Sequence, residues 1–491
     1  MLFHKMAHYN IDKNGNLMTK RVFTVLAIDG GGVKGIVPAR LLQELEERTG
    51  KPISELFDLV AGTSTGSIIA GCLTMPSEKD KTKPRFTAKQ AVDFYLESSK
   101  DIFPESMFRS LLNVVPGTTG FYDVTVFEKI LEGHLGDVTF KDALTNLMMA
   151  GADMKVFEPV WMHYFVNRNK STSQRWATLK TRDAIRASTS APTFFEAKYI
   201  YTHPNSKIPD AAERHAMLDG GLFAGTIARR ALTQAKKLAP PDAKIIVVHL
   251  GTGRPEVSLT PNEMNQKNRL DWVRSQDGTS ILGISTEMTV QDIVNDVKEE
   301  LGEDFFRFNR TIDKTDPNNP DSSMDNSHED NLNKLLGFAE KMIEEQDQKI
   351  DRLCKILQDK LCIDQLYINS RHALSELSET LTQIDDPKAL SKLYTKIAEY
   401  TSDIEDPKVP EQDQDLFNRC KQLTDRHKDQ LKTIYTAHHN ALLDLSKQNK
   451  RSFWSHFNFW SKRDKKHPEN SNDNNSASTY KQKKTSGKPK P

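Results

Sequence analysis

Apolar residues in the first two thirds of this chain fall into short continuous runs separated by polar turns. The runs at Val22–Ile28 and 56–61 are long enough for buried strands, and so is the run at 244–248. Segments of helical periodicity lie between them, including the apolar stretch 67–73. This alternation predicts an α/β domain over residues 21–345, in which helices cover a largely buried sheet.

The spacing changes near residue 346, where apolar residues begin to recur at intervals of three and four positions. One such series is Leu390, Leu393, Ile397, Tyr400 and Ile404. This spacing predicts amphipathic helices, and Asp386-Pro387 supplies a helix start. Residues 346–448 are therefore predicted to form an all-α helical domain with bundle packing.

Polar and charged residues dominate both ends of the chain. Residues 1–20 form a polar leader with no apolar stretch typical of a cleaved secretory signal. Residues 449–491 combine an aromatic and basic segment with a tail predicted to be disordered, and they contain eleven Lys or Arg against three Asp or Glu. The cluster at 453–460, flanked by basic pairs, suits a membrane interface, with packing on the bundle as the alternative.

Overall composition limits the cellular setting. The 491 residues carry a net charge of only +1, and the four cysteines are scattered, so structural disulfides are not expected. No apolar run reaches the ~20 residues needed to span a bilayer as a helix. We expect a cytoplasmic or peripheral membrane protein, delivered, if it is exported, by a route that needs no signal peptide.

The segment Gly62-Thr63-Ser64-Thr65-Gly66 follows the predicted strand at 56–61 and precedes the predicted helix at 67–73. A serine in G-x-S-x-G at a sharp strand-to-helix turn is a nucleophile elbow. A side chain at either glycine would clash across the turn, and the helix N-terminus favours developing negative charge. The elbow predicts a nucleophilic Ser64.

A second motif, Asp29-Gly30-Gly31-Gly32-Val33-Lys34-Gly35, follows the strand Val22–Ile28. Its G-x-G-x-x-G spacing also fits a dinucleotide-binding loop, but the next strand ends in Gly-Thr-Ser rather than in an acidic residue. The motif lacks the Gly-Lys-Ser/Thr of a phosphate-binding P-loop. We interpret Gly30, Gly31, Gly32 and Gly35 as an oxyanion-binding loop. Lys34 either adds positive potential there or is solvated.

The third motif, Asp219-Gly220-Gly221, follows a short predicted strand at 216–218 and presents a carboxylate that could act as the base for a serine. A histidine base is the alternative, for which His249 is the best placed candidate. Its position inside a strand favours a packed side chain, whereas His203 and His215 are predicted to be solvated.

Together the three motifs resemble the patatin-like phospholipase family, which uses a Ser–Asp dyad. The segments 186–195, 249–253, 305–309 and 331–343 are also similar to stretches of that family, so the resemblance covers about residues 20–345. It implies a three-layer α/β/α hydrolase fold, a Ser64–Asp219 dyad and oxyanion donors at Gly31 and Gly32. One departure is 225–227, where Gly-Thr-Ile replaces the family's Asn-Asn-Pro and puts the local helix cap in doubt.

The resemblance implies a lipid acyl hydrolase of the phospholipase A or lysophospholipase type, acting on phospholipids or acylglycerols without a cofactor or metal. The alternative is a non-catalytic membrane-targeting or scaffold protein on a degenerate hydrolase fold. A regulated effector or toxin is a refinement, in which a protein activator binds the helical C-terminal domain. No nucleic-acid partner is expected. Residues 102–122 are predicted as a lipid-facing flap or a packed loop, and residues 313–331 as a flexible loop.

Overall fold

The computed structural model describes residues 22–104, 122–166, 175–201, 214–240, 243–256, 259–268, 272, 280–313, 315–361 and 364. All of them belong to one compact unit that runs to Ile368. The predicted leader, the predicted bundle from residue 365 onward and the predicted aromatic and basic tail lie outside the described residues. So does nearly all of the predicted flap.

Eight of the described strands form one mixed sheet, and two short strands pair separately. The strands are β1 (Val22–Ile28), β2 (Leu59–Gly62), β3 (Asn146–Asp153), β4 (Glu158–Tyr164), β5 (Lys198–Tyr201), β6 (Arg214–Asp219), β7 (Lys244–Leu250), β8 (Arg254–Pro255), β9 (Phe305–Phe308) and β10 (Thr311–Ile312). The parallel strands β2, β1, β7 and β9 lie side by side, in the order expected for a domain with crossover helices.

The described helices lie between and after these strands. They are α1 (Ile36–Thr49), α2 (Ile53–Leu56), α3 (Thr65–Thr74), α4 (Ala88–Ile102), α5 (Val124–Leu135), α6 (Thr181–Ser188), α7 (Ala228–Leu238), α8 (Pro261–Gln266), α9 (Ile281–Leu301), α10 (Glu329–Glu345) and α11 (347–361). The strands and helices predicted around the three motifs are confirmed, with ends that differ by a few residues.

Alternate residues of the central strands enter two separate apolar layers. In β1, Leu26 and Ile28 pack into the larger cluster with α1, α3 and α4, while Val25 and Ala27 pack into the smaller one with α7 and α9. Because side chains alternate across a strand, each layer covers one face of the sheet. The predicted three-layer α/β/α fold is confirmed for the described residues.

The helix at 347–361 packs on this α/β unit. Its buried residues Ile350, Leu353 and Leu357 join the larger apolar cluster, and Lys360 forms an ion pair with Asp58 at 3.0 Å. The unit therefore continues past residue 345 into the segment where the spacing of apolar residues changes.

Strand β3 brings two distant parts of the chain to one place. Residues 147–153 of β3 pair with β4, so β4 occupies one edge of β3. Its other edge is shared by β2, whose Gly62 lies opposite Met149, and by β6, whose Asp219 lies opposite Gly151. The C-terminal ends of β2 and β6 therefore meet head to head beside β3.

Candidate active site

Ser64 lies at the point where β2 turns into α3. Its φ of 53° and ψ of −122° place a residue other than glycine in a sparsely populated backbone region. Such strain persists only where surrounding contacts impose it, and it concentrates at functional sites. The Ser64 N–H donates to Ser188 Oγ at 3.0 Å, and Ser67 Oγ donates to the Ser64 carbonyl at 2.6 Å. The elbow predicted from the sequence is formed and is held on both sides of the serine.

The two glycines of the elbow allow a very close approach of backbone segments. A Cβ on Gly62 would lie 2.1 Å from the Gly66 carbonyl oxygen, and a Cβ on Gly66 would lie 2.3 Å from the Ile28 carbonyl oxygen. Thr63 between them is fully buried, and the Thr65 and Tyr95 hydroxyls are 2.5 Å apart. The turn therefore excludes a side chain at both glycine positions.

Asp219 faces the serine across the gap between β2 and β6. Ser64 Oγ donates to Asp219 Oδ2 at 2.7 Å, and the Gly221 N–H donates to Oδ1 at 2.7 Å. Only glycine fits at position 220, because a Cβ there would lie 2.6 Å from Ala150 Cβ. The carboxyl is only 4% exposed, and burial raises its pKa from 3.8 to about 6, against the opposing effect of these hydrogen bonds. A carboxylate in this state can accept a proton near neutral pH.

The glycine-rich loop lies directly beside the serine. A Cβ on Gly30 would lie 3.1 Å from Ser64 Cβ, and a Cβ on Gly31 would lie 2.3 Å from Thr252 Oγ1. A Cβ on Gly35 would lie 2.3 Å from the Tyr95 hydroxyl and 2.4 Å from Thr65 Oγ1, so no side chain fits there either. Among the described residues, the Gly31 and Gly32 N–H groups engage no protein acceptor. Within this part of the chain, both N–H groups therefore remain available as hydrogen-bond donors.

Residues 321–328 hold the next part of this loop. The Met324 carbonyl accepts the Val33 N–H at 2.8 Å and would lie 1.9 Å from a Cβ on Gly32, whose φ is +60°. The Tyr122 hydroxyl donates to Asp325 at 2.8 Å. The prediction of a flexible loop at 313–331 is therefore wrong for its central part, which is tied to the glycine-rich loop and to Tyr122.

Lys34 is 5% exposed, so the alternative of a solvated lysine is wrong. Burial lowers its pKa to about 8, and Glu287 and Asp321 act in the opposite direction. At neutral pH the side chain is still mostly protonated, so the glycine-rich loop carries a buried cation.

His249 is fully buried and engages groups other than the serine. Its Nε2 lies 2.7 Å from Asp29 Oδ1 and 3.0 Å from Thr226 Oγ1, and its Nδ1 lies 3.2 Å from Arg307. Both ring nitrogens are thus occupied, as expected for a packed histidine. Thr226, in the segment that departs from the family pattern, also accepts the N–H of Ala228, the first residue of α7, at 3.3 Å, while Ile227 holds the N-cap position.

A set of buried polar residues at the end of α6 also contacts the dyad, although no sequence motif predicts its contacts. Besides the Ser188 contact to the elbow, the Ser190 carbonyl accepts the Asp219 N–H at 3.0 Å. Arg186, 2% exposed, donates to Ser190 Oγ at 2.7 Å and to the Glu196 carbonyl at 2.7 Å. The composition of residues 186–195 does not show which backbone groups these side chains reach, so the sequence indicates only a resemblance there.

The prediction that His215 is solvated is wrong. It is buried, and its Nδ1 lies 2.5 Å from Asp153 Oδ2 on the neighbouring strand. His203 lies outside the described residues. The described part of the chain contains no grouping of His, Cys, Asp or Glu suited to a metal ion, and none of its helices is long and apolar enough to cross a bilayer.

Comparison with known proteins yields one family and several relatives. A family model described as "Patatin-like phospholipase" matches residues 26–232. Patatin-like protein 2 of Arabidopsis thaliana is 29% identical over 294 residues, 55% of this chain and 68% of the relative. Patatin-2-Kuras 4 of Solanum tuberosum is 30% identical over 272 residues, 51% of this chain and 68% of the relative. Calcium-independent phospholipase A2-gamma of Mus musculus is 29% identical over 372 residues, 70% of this chain but 42% of the relative.

Proposed function

The chain belongs to the patatin-like phospholipase family, and on that premise we propose that it is a lipid acyl hydrolase in which Ser64 and Asp219 act as a catalytic dyad. Membership of this family makes the chain a lipid ester hydrolase. The observation that carries the assignment of residues is the 2.7 Å hydrogen bond from Ser64 Oγ to Asp219 Oδ2 at a strained elbow.

In the proposed first step, Ser64 Oγ attacks the ester carbonyl carbon and its proton passes to Asp219 Oδ2. The carbonyl oxygen becomes an oxyanion and accepts hydrogen bonds from the Gly31 and Gly32 N–H groups. Donors fixed in this way stabilise the charge without reorganising when it forms. Asp219 then donates the proton to the departing alcohol, which leaves an acyl group on Ser64.

In the second step, Asp219 takes a proton from water, which attacks the acyl carbonyl carbon. Collapse of the second oxyanion releases the fatty acid and returns the proton to Ser64. The carboxyl group must be ionised to start each step, and burial keeps its pKa high enough for efficient proton acceptance. The Gly221 N–H on Oδ1 keeps Oδ2 directed at the serine throughout.

We propose phospholipids or acylglycerols as the substrate class. The name of the mouse relative, a calcium-independent phospholipase A2, supports the phospholipid choice, and so does the buried cation of Lys34 in the glycine-rich loop. A protein activator that binds the predicted helical domain at 346–448 is part of this proposal.

The test is lipid product analysis with purified full-length protein and phosphatidylcholine vesicles, with and without eukaryotic cytosol. Release of free fatty acid and lysophospholipid that disappears in the Ser64→Ala variant supports the proposal. Activity that requires cytosol supports the activator. Fatty acid release that persists in Ser64→Ala contradicts the role given to this serine, and its absence under every condition contradicts the hydrolase.

A further inference from the structure

Half of the exposed large apolar side chains of the described residues lie near one end of the sheet. Three belong to the turn between β3 and β4, and two lie on β5. We call this set the sheet-end patch: Met154, Val156, Phe157, Tyr199 and Tyr201. Phe157 is 81% exposed, more than any other large apolar residue described. Apolar side chains that cluster on a surface mark an interaction site far more often than single ones do.

Strand register places the patch on the same edge of the sheet as the dyad. Asp219 pairs with Gly151 of β3, and the β3–β4 turn begins only two residues beyond Gly151, at Asp153. At a rise of about 3.4 Å per residue, the turn starts about 7 Å past the level of the dyad. Tyr201 pairs with Arg214, the first residue of β6, so β5 ends at the level of the turn.

The turn holds its aromatic residue in an unfavourable conformation. Phe157 has a φ of 60°, which bulky side chains rarely adopt, and yet its ring contributes little to the folded core. A residue such as Asn would fit this backbone with less strain. Packing within the described part of the chain therefore does not explain a phenylalanine at this position.

Cations lie beside the apolar residues. Lys155 is exposed within the turn, the Arg214 guanidinium lies 4.3 Å from the centroid of the Tyr199 ring, and Arg175 is exposed next to His215. Glu158, the first residue of β4, is an exposed acidic residue beside the turn, and the nearby Asp153 is buried against His215. Aromatic rings and cations together match the acyl and headgroup layers of an anionic bilayer.

We propose that the sheet-end patch inserts into the interface of an anionic lipid bilayer. Insertion then brings the edge of the sheet that carries Ser64 and Asp219 to the lipid substrate. This proposal rests on the proposed lipid hydrolase function. It assigns membrane contact to the α/β unit itself, in addition to the contact predicted for the aromatic segment near residue 450.

The first experiment compares vesicle binding of three full-length proteins. The double variant Val156→Ser/Phe157→Asn removes two apolar side chains and suits the backbone of residue 157. The control, Ile281→Ser/Met288→Ser, removes two equally exposed apolar side chains from α9. We expect the patch variant to bind phosphatidylcholine–phosphatidylserine vesicles about tenfold more weakly than the unaltered chain, and the control to bind normally.

Activity separates this proposal from the function on which it rests. The patch variant should hydrolyse a soluble short-chain ester at the unaltered rate and vesicle phospholipid more slowly. If the unaltered protein hydrolyses neither substrate, the proposed function fails, while vesicle binding still decides the role of the patch. Equal binding by the patch variant and the unaltered chain overturns the proposal. A change from dimer to monomer with vesicle binding intact also overturns it, because a second copy of the chain then covers the patch.

A second measurement locates the turn directly, independently of other membrane contacts. Phe157→Trp places a fluorophore at the tip, and Met288→Trp places one on α9. We expect brominated acyl chains to quench the added emission of Phe157→Trp and to leave that of Met288→Trp unchanged. Equal quenching at both positions, or none at Phe157→Trp in vesicle-bound protein, contradicts insertion of the patch.

Discussion

Replacing Asp219 with asparagine should abolish activity and at the same time stabilise the fold. Burial raises the carboxyl pKa from 3.8 to about 6, so the ionised form is disfavoured in the folded protein. Each pKa unit of this rise corresponds to 1.36 kcal/mol. Ionised Asp219 therefore lowers the free energy of unfolding by about 3 kcal/mol at neutral pH and above. Asparagine has the same shape and keeps an oxygen for the Gly221 N–H, but it carries no charge to desolvate.

The sign of the pH dependence follows from the raised pKa. The unaltered protein has its full stability at this site below pH 3.8, where the carboxyl is protonated in both states, and loses it as the pH rises through about 6. The advantage of Asp219→Asn should therefore be largest near pH 8, on the order of 2–3 kcal/mol, and below about 1 kcal/mol near pH 4.

Urea unfolding at several pH values, followed by tryptophan fluorescence, measures this difference. Asp101→Asn, at an exposed carboxylate near the end of α4, is the control and should stay within about 0.5 kcal/mol of the unaltered protein throughout. If Asp219→Asn gains no stability between pH 4 and pH 8, the carboxylate is not desolvated in the way described, and its role as a base near neutral pH loses its physical support.

Three further predictions concern the same site. The kcat for a soluble ester should rise with pH through an apparent pKa of about 6, because ionised Asp219 is the base; a flat profile between about pH 5 and pH 8 would contradict this. Gly32→Ala should lower kcat by about 10²–10³-fold, since its Cβ would displace the Met324 carbonyl and tilt the donor amides. Gly50→Ala, also at positive φ but with open space around its Cβ, should cost about 1 kcal/mol of stability and no activity, so equal kcat losses would refute the argument. His249→Gln should lower kcat far less than Asp219→Asn does, and a greater loss in a folded variant would indicate a histidine base instead.

The motifs were predictable because their chemistry is local. A Gly-Thr-Ser-Thr-Gly segment between an apolar strand and a helix has few other conformations, and β2 and α3 form where the pattern places them. The continuous apolar run of β1 likewise predicts a strand that is buried on both faces of the sheet. These features depend on neighbours within a few residues.

The meeting of Ser64 with Asp219 is a long-range result that spacing does not show. It arises because β2 and β6 share one edge of β3, although 155 positions separate the two residues. From the residues alone, Asp219 is one candidate base beside His249; the position of His249 inside a strand and the resemblance to a known family both favour Asp219.

Contacts of irregular segments were also beyond the sequence pattern. Residues 313–331 have a composition typical of a loop, which does not indicate that the Met324 carbonyl holds the Val33 N–H. In the same way, the burial of His215 depends on Asp153 of the adjacent strand. Short polar residues form such contacts in many sequence contexts, so their partners become known only from the fold.

The most direct test of the Ser64–Asp219 account is covalent labelling with a fluorophosphonate lipid analogue, which reacts with an activated serine. The labelled full-length protein is digested and the modified residue is identified by mass spectrometry. We expect one adduct, on Ser64, formed quickly by the unaltered protein, slowly or not at all by Asp219→Asn, and not at all by Ser64→Ala. An adduct on another residue that accompanies lipid hydrolysis, or labelling of Ser64 at the same rate in Asp219→Asn, would contradict the proposed dyad.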